Sequence, residues 1–383
     1  MASVEAPTRI LPAVGTLRPD PTITVLIPAH NEAGGIAATL ASLARQTRRP
    51  DAVIVVADNC TDDTVAIAQR VAQSSPIEIS TFETRGNEDK KAGALNQALA
   101  NYLPMLHPQD YVLVMDADSV LSDCWIEVAL RTMANEDIGA VGGIFYGEGR
   151  NGLIAQLQRN EYVRYARDIL RRKSVWVLTG TSSLFRVPIL RQIAAARGTE
   201  LPGEQGHVYD LDALTEDMEI TLATMRLGYR CVSPAECATT TELMATWKDL
   251  WRQRKRWQRG AIDNLRSHGL NRITLPYMIQ QAWAVCGFLV IVGYPALLGV
   301  SLMLGQGLTV QPFWLVIGAL SLLDRIVTVR KAGWRGIVLT LSFLPEIFYD
   351  FFRLGVYLIG WWDALMKRAA QWHHATDTRE GVN

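Results

Sequence analysis

Residues Tyr111 to Ser119 read YVLVMDADS, a run of buried-strand character that ends on two aspartates separated by one alanine. In an extended backbone, side chains alternate between faces, so Asp116 and Asp118 are expected to point one way and Ala117 the other. Two like charges then share a small space. A divalent cation or a hydrogen-bonded nucleotide makes such an arrangement tolerable, and hard cations such as Mg²⁺ or Mn²⁺ favour carboxylate oxygen. Taken alone, the triplet equally fits a strand that closes in an ordinary polar turn. Its context constrains the fold more: a strand running into an acidic turn, a pattern the chain also shows upstream.

Ile23 to Ile27 is a β-branched run that ends in Pro28-Ala29-His30-Asn31-Glu32, followed by Gly34-Gly35 and a helical pattern through Ile36, Leu40 and Leu43. A second run, Ala52 to Ala57, ends in Asp58-Asn59-Cys60-Thr61-Asp62-Asp63 and leads into another helix. Strand, polar turn, helix, strand is the signature of a parallel sheet, whose ligands lie beyond the carboxyl ends of the strands. Asp58 stands at such an end, with a helix-cap or turn role as the structural alternative. Lys90 and Lys91 precede Gly93 and a helix, where ammonium groups and unpaired N–H groups suit phosphate oxygens; a solvated surface lysine explains that short stretch as well.

Further strands are expected at Ala140 to Tyr146 and at Val175 to Thr179, the latter entering Gly180-Thr181-Ser182-Ser183, which either admits a ligand closely or makes a turn. A polar loop from Gly198 to Asp210, with an exposed His207, leads to Leu214-Thr215-Glu216-Asp217 and a helix from Met218 to Leu227. Acidic residues in a first helical turn are also what the helix dipole alone favours.

Lys plus Arg and Asp plus Glu both number 38, so net charge singles out no class of partner. Hydrophobic residues make up 49% of the chain, a figure that averages a soluble part with a more apolar C-terminal part. Cys60, Cys124, Cys231, Cys237 and Cys286 show neither CxxC nor metal spacing, which fits reduced thiols and a cytosolic face. Residues 1–20 carry Pro7, Pro12 and Pro19 and lack a signal-peptide core, so a flexible tail and a cytosolic N-terminal domain are expected.

Trp247 to Arg272 is basic, with Trp247, Trp251 and Trp257 interleaved, and reads as an amphipathic helix at a cytosolic membrane interface. Nucleic-acid binding is the competing reading, weakened by the flanking apolar sequence, and no nucleic-acid partner is expected. Met278 to Leu304 has no charged residue and exceeds the ~20 apolar residues that span a bilayer. Phe313 to Val329 is a second candidate span, interrupted by Asp324-Arg325. Gly336 to Trp362 carries Pro345, Glu346, Asp350 and Arg353, charges that are costly at mid-bilayer, so it is expected inside a bundle or in the interface. Placing Arg325 to Arg335 and Lys367-Arg368 in the cytosol and the uncharged Gly305 to Pro312 loop opposite gives two spans plus an interfacial third segment, with three spans as the alternative.

The order and spacing of IPAHNE, DNCTDD, KKAGALN, MDADS, LTED and the QxxRW motif Gln253-Arg254-Lys255-Arg256-Trp257 resemble those of the membrane-associated family 2 glycosyltransferases. Relatives of that family include the synthases of cellulose, hyaluronan, poly-N-acetylglucosamine and chitin oligosaccharides. The resemblance covers Thr22 to Gly260 and extends only loosely into the apolar region. It implies an α/β chain with a GT-A fold, Rossmann-like, in which a mostly parallel sheet with flanking helices is followed by C-terminal interfacial and transmembrane helices. The corresponding boundaries are a tail at 1–20, a GT-A domain at 21–246, the interface helix with QxxRW at 247–273, a membrane region of two to three helical segments at 274–368 and a C-terminal tail at 369–383.

The same resemblance implies a nucleotide-diphospho-sugar donor, a UDP-sugar first among them, an Mg²⁺ or Mn²⁺ cofactor and an inverting mechanism. Asp58 would hold the nucleobase or ribose region and Lys91 the nucleotide, with Pro28 and Glu32 beside them. Asp116 would contact the nucleotide and Asp118 would ligate the metal. Arg256 and Trp257 would close over the diphosphate, with Gln253 alongside, and Asp217 would be the general base. The polymer synthases of this kind usually carry more membrane helices, so transfer of a hexosyl or N-acetylhexosaminyl group onto a membrane-associated glycan, lipid or other acceptor, protein included, is the expectation. QxxRW points instead towards processive polysaccharide synthesis. A sugar nucleotidyltransferase and a non-catalytic membrane scaffold are the readings from other classes. The expected place is the cell inner membrane with the catalytic domain cytosolic, and a homo-oligomer is left open.

Overall fold

The computed structural model describes residues 20–172, 175–305 and 312–366. The tail up to residue 19, residues 306–311 of the expected far-side loop, Lys367, Arg368 and the C-terminal tail lie outside the described residues.

The chain starts as the repeated pattern predicts: β1 (Ile23–Ala29), α1 (Ile36–Ala44), β2 (Ala52–Ala57), α2 (Thr64–Ser74), β3 (Glu78–Glu83), α3 (Lys90–Tyr102) and β4 (Tyr111–Val114). After β5 (Val120–Leu121) and α4 (Trp125–Met133) come β6 (Ile138–Gly142), β7 (Ile144–Glu148) and the long α5 (Leu153–Arg172). Then follow β8 (Ser183–Arg186), α6 (Val187–Ala196), α7 (Glu216–Arg226), β9 (Arg230–Val232) and β10 (Ala238–Glu242). Seven strands form one sheet in the order β3-β2-β1-β4-β8-β6-β9, and β5-β10-β7 form a second. Strands β1 to β4 pair in parallel, and β8 runs antiparallel to both β4 and β6. The chain leaves β1 towards β2 on one side and returns to β4 on the other, so the carboxyl ends of β1 and β4 part at a topological switch point, where parallel sheets bind ligands.

Alternation along the strands sorts the core into two layers. Val25, Ile27, Val53, Val55 and Leu113 pack beneath Ile36, Leu40 and Leu43 of α1 and Trp125 and Ile126 of α4. Leu26, Ile54, Val56, Val112 and Val114 face the opposite way, against Leu95 and Leu99 of α3, Leu190 of α6 and Ile220 of α7. A parallel strand buried on both faces needs an unbroken apolar run, which is why β1 and β2 are so legible in the sequence.

Three expected elements differ in detail. The run from Ala140 to Tyr146 is two strands in two sheets, because at Gly143 the chain passes so close to Ser182 and Thr239 that a Cβ would lie 2.2 Å and 2.4 Å from their hydroxyls. Val175 to Thr179 is no strand: Val175 and Leu178 are buried, but Ser182 N donates to Thr179 O in a turn and pairing starts only at Ser183. Burial produced the apolar pattern without a ladder. The helix expected from Met218 begins at Glu216, which brings Glu216 and Asp217 into its first turn.

The C-terminal third is helical: α8 (Trp247–His268), α9 (Leu275–Met303), α10 (Pro312–Val329), α11 (Trp334–Leu341) and α12 (Leu344–Leu365). Thr246 caps α8 by accepting from Asp249 N at 3.1 Å. The segment from Gly336 to Trp362 is broken at Phe343, whose φ is 60°, just before Pro345 starts the next helix. Among the described residues one helix, α9, is long and apolar enough to cross a membrane, and no described residue of its most apolar stretch is buried.

The charges that disturb the apolar segments are not stranded. Arg167 of α5 pairs with Asp324 at 2.9 Å, and Arg325 with Asp350 at 2.7 Å. Glu346, 2% exposed, accepts from Asn160 at 2.8 Å and pairs with Arg164 at 2.7 Å. Asn160, Arg164 and Arg167 lie on α5, while Arg325 and Asp350 join α10 to α12, so the polar ends of α10 and α12 dock on the α/β domain and on each other. The tryptophans of α8, expected at headgroup level, also find partners within the chain: Trp247 packs on Phe348 and Phe352, and Trp251 on Phe352. The aromatic face of α8 is thus satisfied by α12, a pairing that an isolated amphipathic pattern does not reveal.

Helices α6, α7 and α8 are tied by a buried cluster. Arg197, at the end of α6, donates through both terminal nitrogens to Glu219 of α7, while His268 at the end of α8 bonds Glu219 at 3.0 Å. Arg197 also reaches the carbonyls of Pro202 and Val208, at 2.8 Å and 2.6 Å. Removing one member of a buried pair leaves an uncompensated charge. Glu219→Ala is expected to lower stability by about 3–5 kcal/mol, measured as the shift in the denaturation midpoint of the purified protein.

Candidate active site

The site assembles at the β1/β4 switch point. Asp58, directly after β2 and 7% exposed, accepts at Oδ1 from Thr84 Oγ1 and Asn87 Nδ2, both at 2.8 Å, and from Asn59 Nδ2 at 3.2 Å. His30 Nδ1 bonds the Asp58 carbonyl at 2.6 Å, joining the turns after β1 and β2. Both turns use asparagine in the left-handed region, Asn31 at φ 56° and Asn59 at φ 49°, a conformation asparagine tolerates better than most residues. Asn31 Oδ1 then accepts from Thr61 N at 2.8 Å, so one turn holds the other. Pro28 lies near the end of β1 opposite Val56, and the Glu32 carbonyl starts α1 by accepting from Ile36 N at 3.0 Å.

Strand β4 ends at Val114, so Asp116 and Asp118 stand on the turn after it and not on extended backbone. The alternation still holds, with Ala117 buried and both aspartates partly open to the cleft. Lys91, in the first turn of α3, donates to Asp116 Oδ1 at 2.6 Å and pairs with Glu216 Oε1 at 2.7 Å. Burial opposes its charge, but the two carboxylates outweigh burial and hold the ammonium well above the usual lysine range. Glu216, likewise buried, is held below the carboxylate norm chiefly by Lys91.

The neighbouring acids lack that support. Burial, then the charge of Asp116, pushes Asp118 up to about 7. Burial and the charge of Glu216 push Asp217 up to about 6. Asp217 is oriented by Met218 N, which donates to Oδ1 at 2.8 Å, and by Gly180 N at 3.3 Å from Oδ2. Two glycines make this crowding sterically feasible. A Cβ on Gly35 would lie 3.0 Å from Asp118 Cα, and one on Gly180 would lie 3.1 Å from Lys91 Nζ and 3.7 Å from Asp217 Oδ2.

Helix α8 roofs the cleft. Arg256 Nη1 donates to the Leu214 carbonyl at 3.3 Å, beside Glu216 and Asp217, and Gln253 and Trp257 line the same wall. The cleft encloses 2390 Å³ and is bounded by Pro28, Glu32, Asp58, Lys91, Asp116, Asp118, Asp217, Gln253, Arg256 and Trp257, so all ten sequence-selected positions meet there. It continues past α8 to Gln280 and Ala284 of α9 and Val356 and Tyr357 of α12. Sequence reasoning assigned no role to Glu216, the second partner of Lys91, or to Glu161 and Arg254, which also line the cleft. Glu216 stands inside the Leu214-Thr215-Glu216-Asp217 motif, whereas Glu161 lies mid-helix with no motif around it.

Among the described residues no group of three or more His, Cys, Asp or Glu side chains is arranged to hold a metal ion unaided. The donor set nevertheless fits a shared ion. Asp118 is a half-buried carboxylate beside another, with the pair's one close ammonium bonded to Asp116, and a divalent cation completed by phosphate oxygens needs only one or two protein carboxylates.

An α/β domain with an acidic cleft at its switch point and a basic, aromatic helix above it has the architecture of a GT-A transferase. The profile of the family described as "Glycosyltransferase like family 2" matches residues 19–260, and the chain belongs to that family. It is 28% identical over 249 residues to a probable glycosyltransferase, YdaM, of Bacillus subtilis, and 24% identical over 251 residues to a poly-beta-1,6-N-acetyl-D-glucosamine synthase of Staphylococcus aureus. Each match covers 63% of this chain and 55% of the relative, so the chain spans about half the length of these curated relatives. Among solved structures, the mannosyltransferase PcManGT of Pyrobaculum calidifontis, in complex with GDP-Man and Mn²⁺, superposes with a TM-score of 0.59 at 18% identity. That superposition covers 92% of this chain and 89% of that one, and it shows a shared fold.

A side chain at Gly180 would displace Lys91 from the point where it meets Asp116 and Glu216. Gly180→Val is expected to reduce glycosyl transfer by about a hundredfold, as misplacement of a site by an ångström does, while the far-UV circular dichroism stays unchanged.

Proposed function

We propose that this protein transfers a sugar, with inversion, from a nucleotide-diphospho-sugar to a hydroxyl of a membrane-associated acceptor. The observation that carries this reading is the convergence of Asp58, Lys91, Asp118, Asp217 and Trp257, far apart in sequence, on one cleft. The chain's membership of a glycosyltransferase family supports the reaction class.

Asp58, fixed by three hydrogen bonds at one oxygen, is suited to accept from a nucleobase or ribose at the other. Lys91 and Arg256 supply positive charge where the diphosphate lies, and Asp116, already paired with Lys91, orients that ammonium. Asp118 is the carboxylate left to ligate Mg²⁺ or Mn²⁺, which when bound stabilises the charge that builds on the departing diphosphate. Arg256 strengthens its hold on that charge as it develops, which lowers the barrier more than it tightens the ground state. Trp257 and Gln253 close the cleft against water. Asp217 takes the proton of the acceptor hydroxyl as its oxygen attacks the anomeric carbon and the bond to the diphosphate breaks. One base and one leaving-group site suffice for a single displacement. The passage of the cleft to α9 and α12, together with the uncovered apolar surface of α9, supports an acceptor presented at a membrane surface.

Asp217→Asn is expected to lower kcat by about a hundredfold or more, the scale of a lost general base, while nucleotide affinity by calorimetry stays unchanged; near-normal turnover would remove the base assignment. In the wild type, Asp217 must be ionised to act. At saturating donor and Mn²⁺, where Asp118 is already ionised by the metal, log kcat should therefore rise with pH through about 6 and then level off, and Glu216→Gln, by removing the charge that raises Asp217, should move that limb to lower pH. Asp118→Asn is expected to abolish the Mn²⁺-dependent part of UDP or GDP affinity, measured by titrating each nucleotide with and without the metal.

A further inference from the structure

Glu161 lies halfway along α5, in a stretch that carries no recognised motif, and is only 15% exposed. Its Oε2 accepts from Arg254 Nη2 at 2.7 Å, from Arg254 Nε at 3.3 Å and from Tyr349 OH at 2.7 Å. Its Oε1 pairs with Arg353 Nε at 3.4 Å. Three separate helices, α5, α8 and α12, therefore meet on one carboxylate. Arg254, 6% exposed, uses the rest of its guanidinium on the wall of the cleft. Its Nη1 bonds Gln253 Oε1 at 2.5 Å, and its guanidinium carbon lies 4.2 Å from the centre of the Trp257 ring and 5.5 Å from that of Tyr162. A cation over an aromatic face holds the ring as well as being held by it.

We propose that Glu161 is a positioning residue for glycosyl transfer: it aims the Arg254 guanidinium that sets Gln253 and Trp257 over the cleft, and it registers α12 against the same point. The inference rests on the reading that Gln253 and Trp257 close over the donor. Burial alone would raise the Glu161 carboxyl, but Arg254 and then Arg353 outweigh it and hold it down at about 2. It stays ionised across the working range of pH, which suits an anchor and not a proton carrier. A planar guanidinium bonded along one edge to a carboxylate has a fixed orientation, so the ring and amide resting on it inherit that orientation.

A purely structural ion pair makes a different prediction, and two variants separate the two. Glu161→Gln leaves Arg254 charged and unpaired in a buried place, so both the melting temperature and turnover should fall. Glu161→Gln/Arg254→Met removes the stranded charge as well, and replacing a buried pair by apolar groups is often neutral or stabilising. The full-length double variant in detergent should therefore regain a wild-type melting temperature. Its kcat, with whichever of UDP-N-acetylglucosamine, UDP-glucose and GDP-mannose the wild type turns over, should remain on the order of tenfold to a hundredfold low. Affinity for UDP or GDP with Mn²⁺ should stay within about threefold, because the deficit lies in closure and not in nucleotide binding. A double variant that regains both melting temperature and wild-type kcat overturns the proposal, as does one whose loss lies wholly in nucleotide affinity. Asp217→Asn assayed in parallel keeps the two ideas apart: normal turnover there sinks the catalytic reading, whereas the Glu161 result alone decides the positioning.

Discussion

Lys91 reaches Asp116 at 2.6 Å and Glu216 at 2.7 Å, and so joins the turn after β4 to the first turn of α7 across the mouth of the sheet. Without that ammonium, four carboxylates from two distant stretches would face one another in a partly buried cleft. Its effect is selective. Asp116 and Glu216 are paired with it, while Asp118, two residues from Asp116, and Asp217, next to Glu216, are left with raised affinity for a proton. A single cation thereby divides the acids into structural members and members with unspent capacity to bind a cation or take a proton. That division, more than the number of acids, makes the cleft suitable for chemistry.

The same economy of charge governs the docking of the C-terminal helices. Arg164 and Asn160 meet Glu346, Arg167 meets Asp324, and Glu161 gathers Arg254, Tyr349 and Arg353. Helix α5 is therefore the strut between the α/β domain and the apolar helices. Polar residues that would be costly among lipid tails lie where a protein partner awaits them, and α9 is left to present an apolar surface outward. In this arrangement the roof of the cleft and the anchorage of α12 share one carboxylate.

The first half of the fold was legible because parallel strands buried on both faces need continuous β-branched runs and polar turns at their carboxyl ends. Asp58, Lys91, Asp116, Asp118 and Asp217 all follow or begin such elements, which is why the sequence singles out residues that line one cleft. The misread strand at Val175 to Thr179 shows the limit: Val175 and Leu178 are apolar because they are buried, and burial alone does not make a ladder. The merged strand from Ala140 to Tyr146 failed for a related reason, since a change of sheet at Gly143 depends on Ser182 and Thr239, which are remote in sequence.

By itself the sequence determined the alternation of strands and helices, the acidic and basic residues at the strand ends, the family and one helix apolar enough for a bilayer. Those are local properties, set by side-chain periodicity, turn chemistry and composition within short windows. Only the tertiary structure decided which acids Lys91 would pair with, that α12 would pack on Trp247 and Trp251 of α8, and that Glu161 would stand beneath the roof of the cleft. Such outcomes depend on distances of a few ångströms between residues separated by up to 188 positions, and no window along the chain contains both partners.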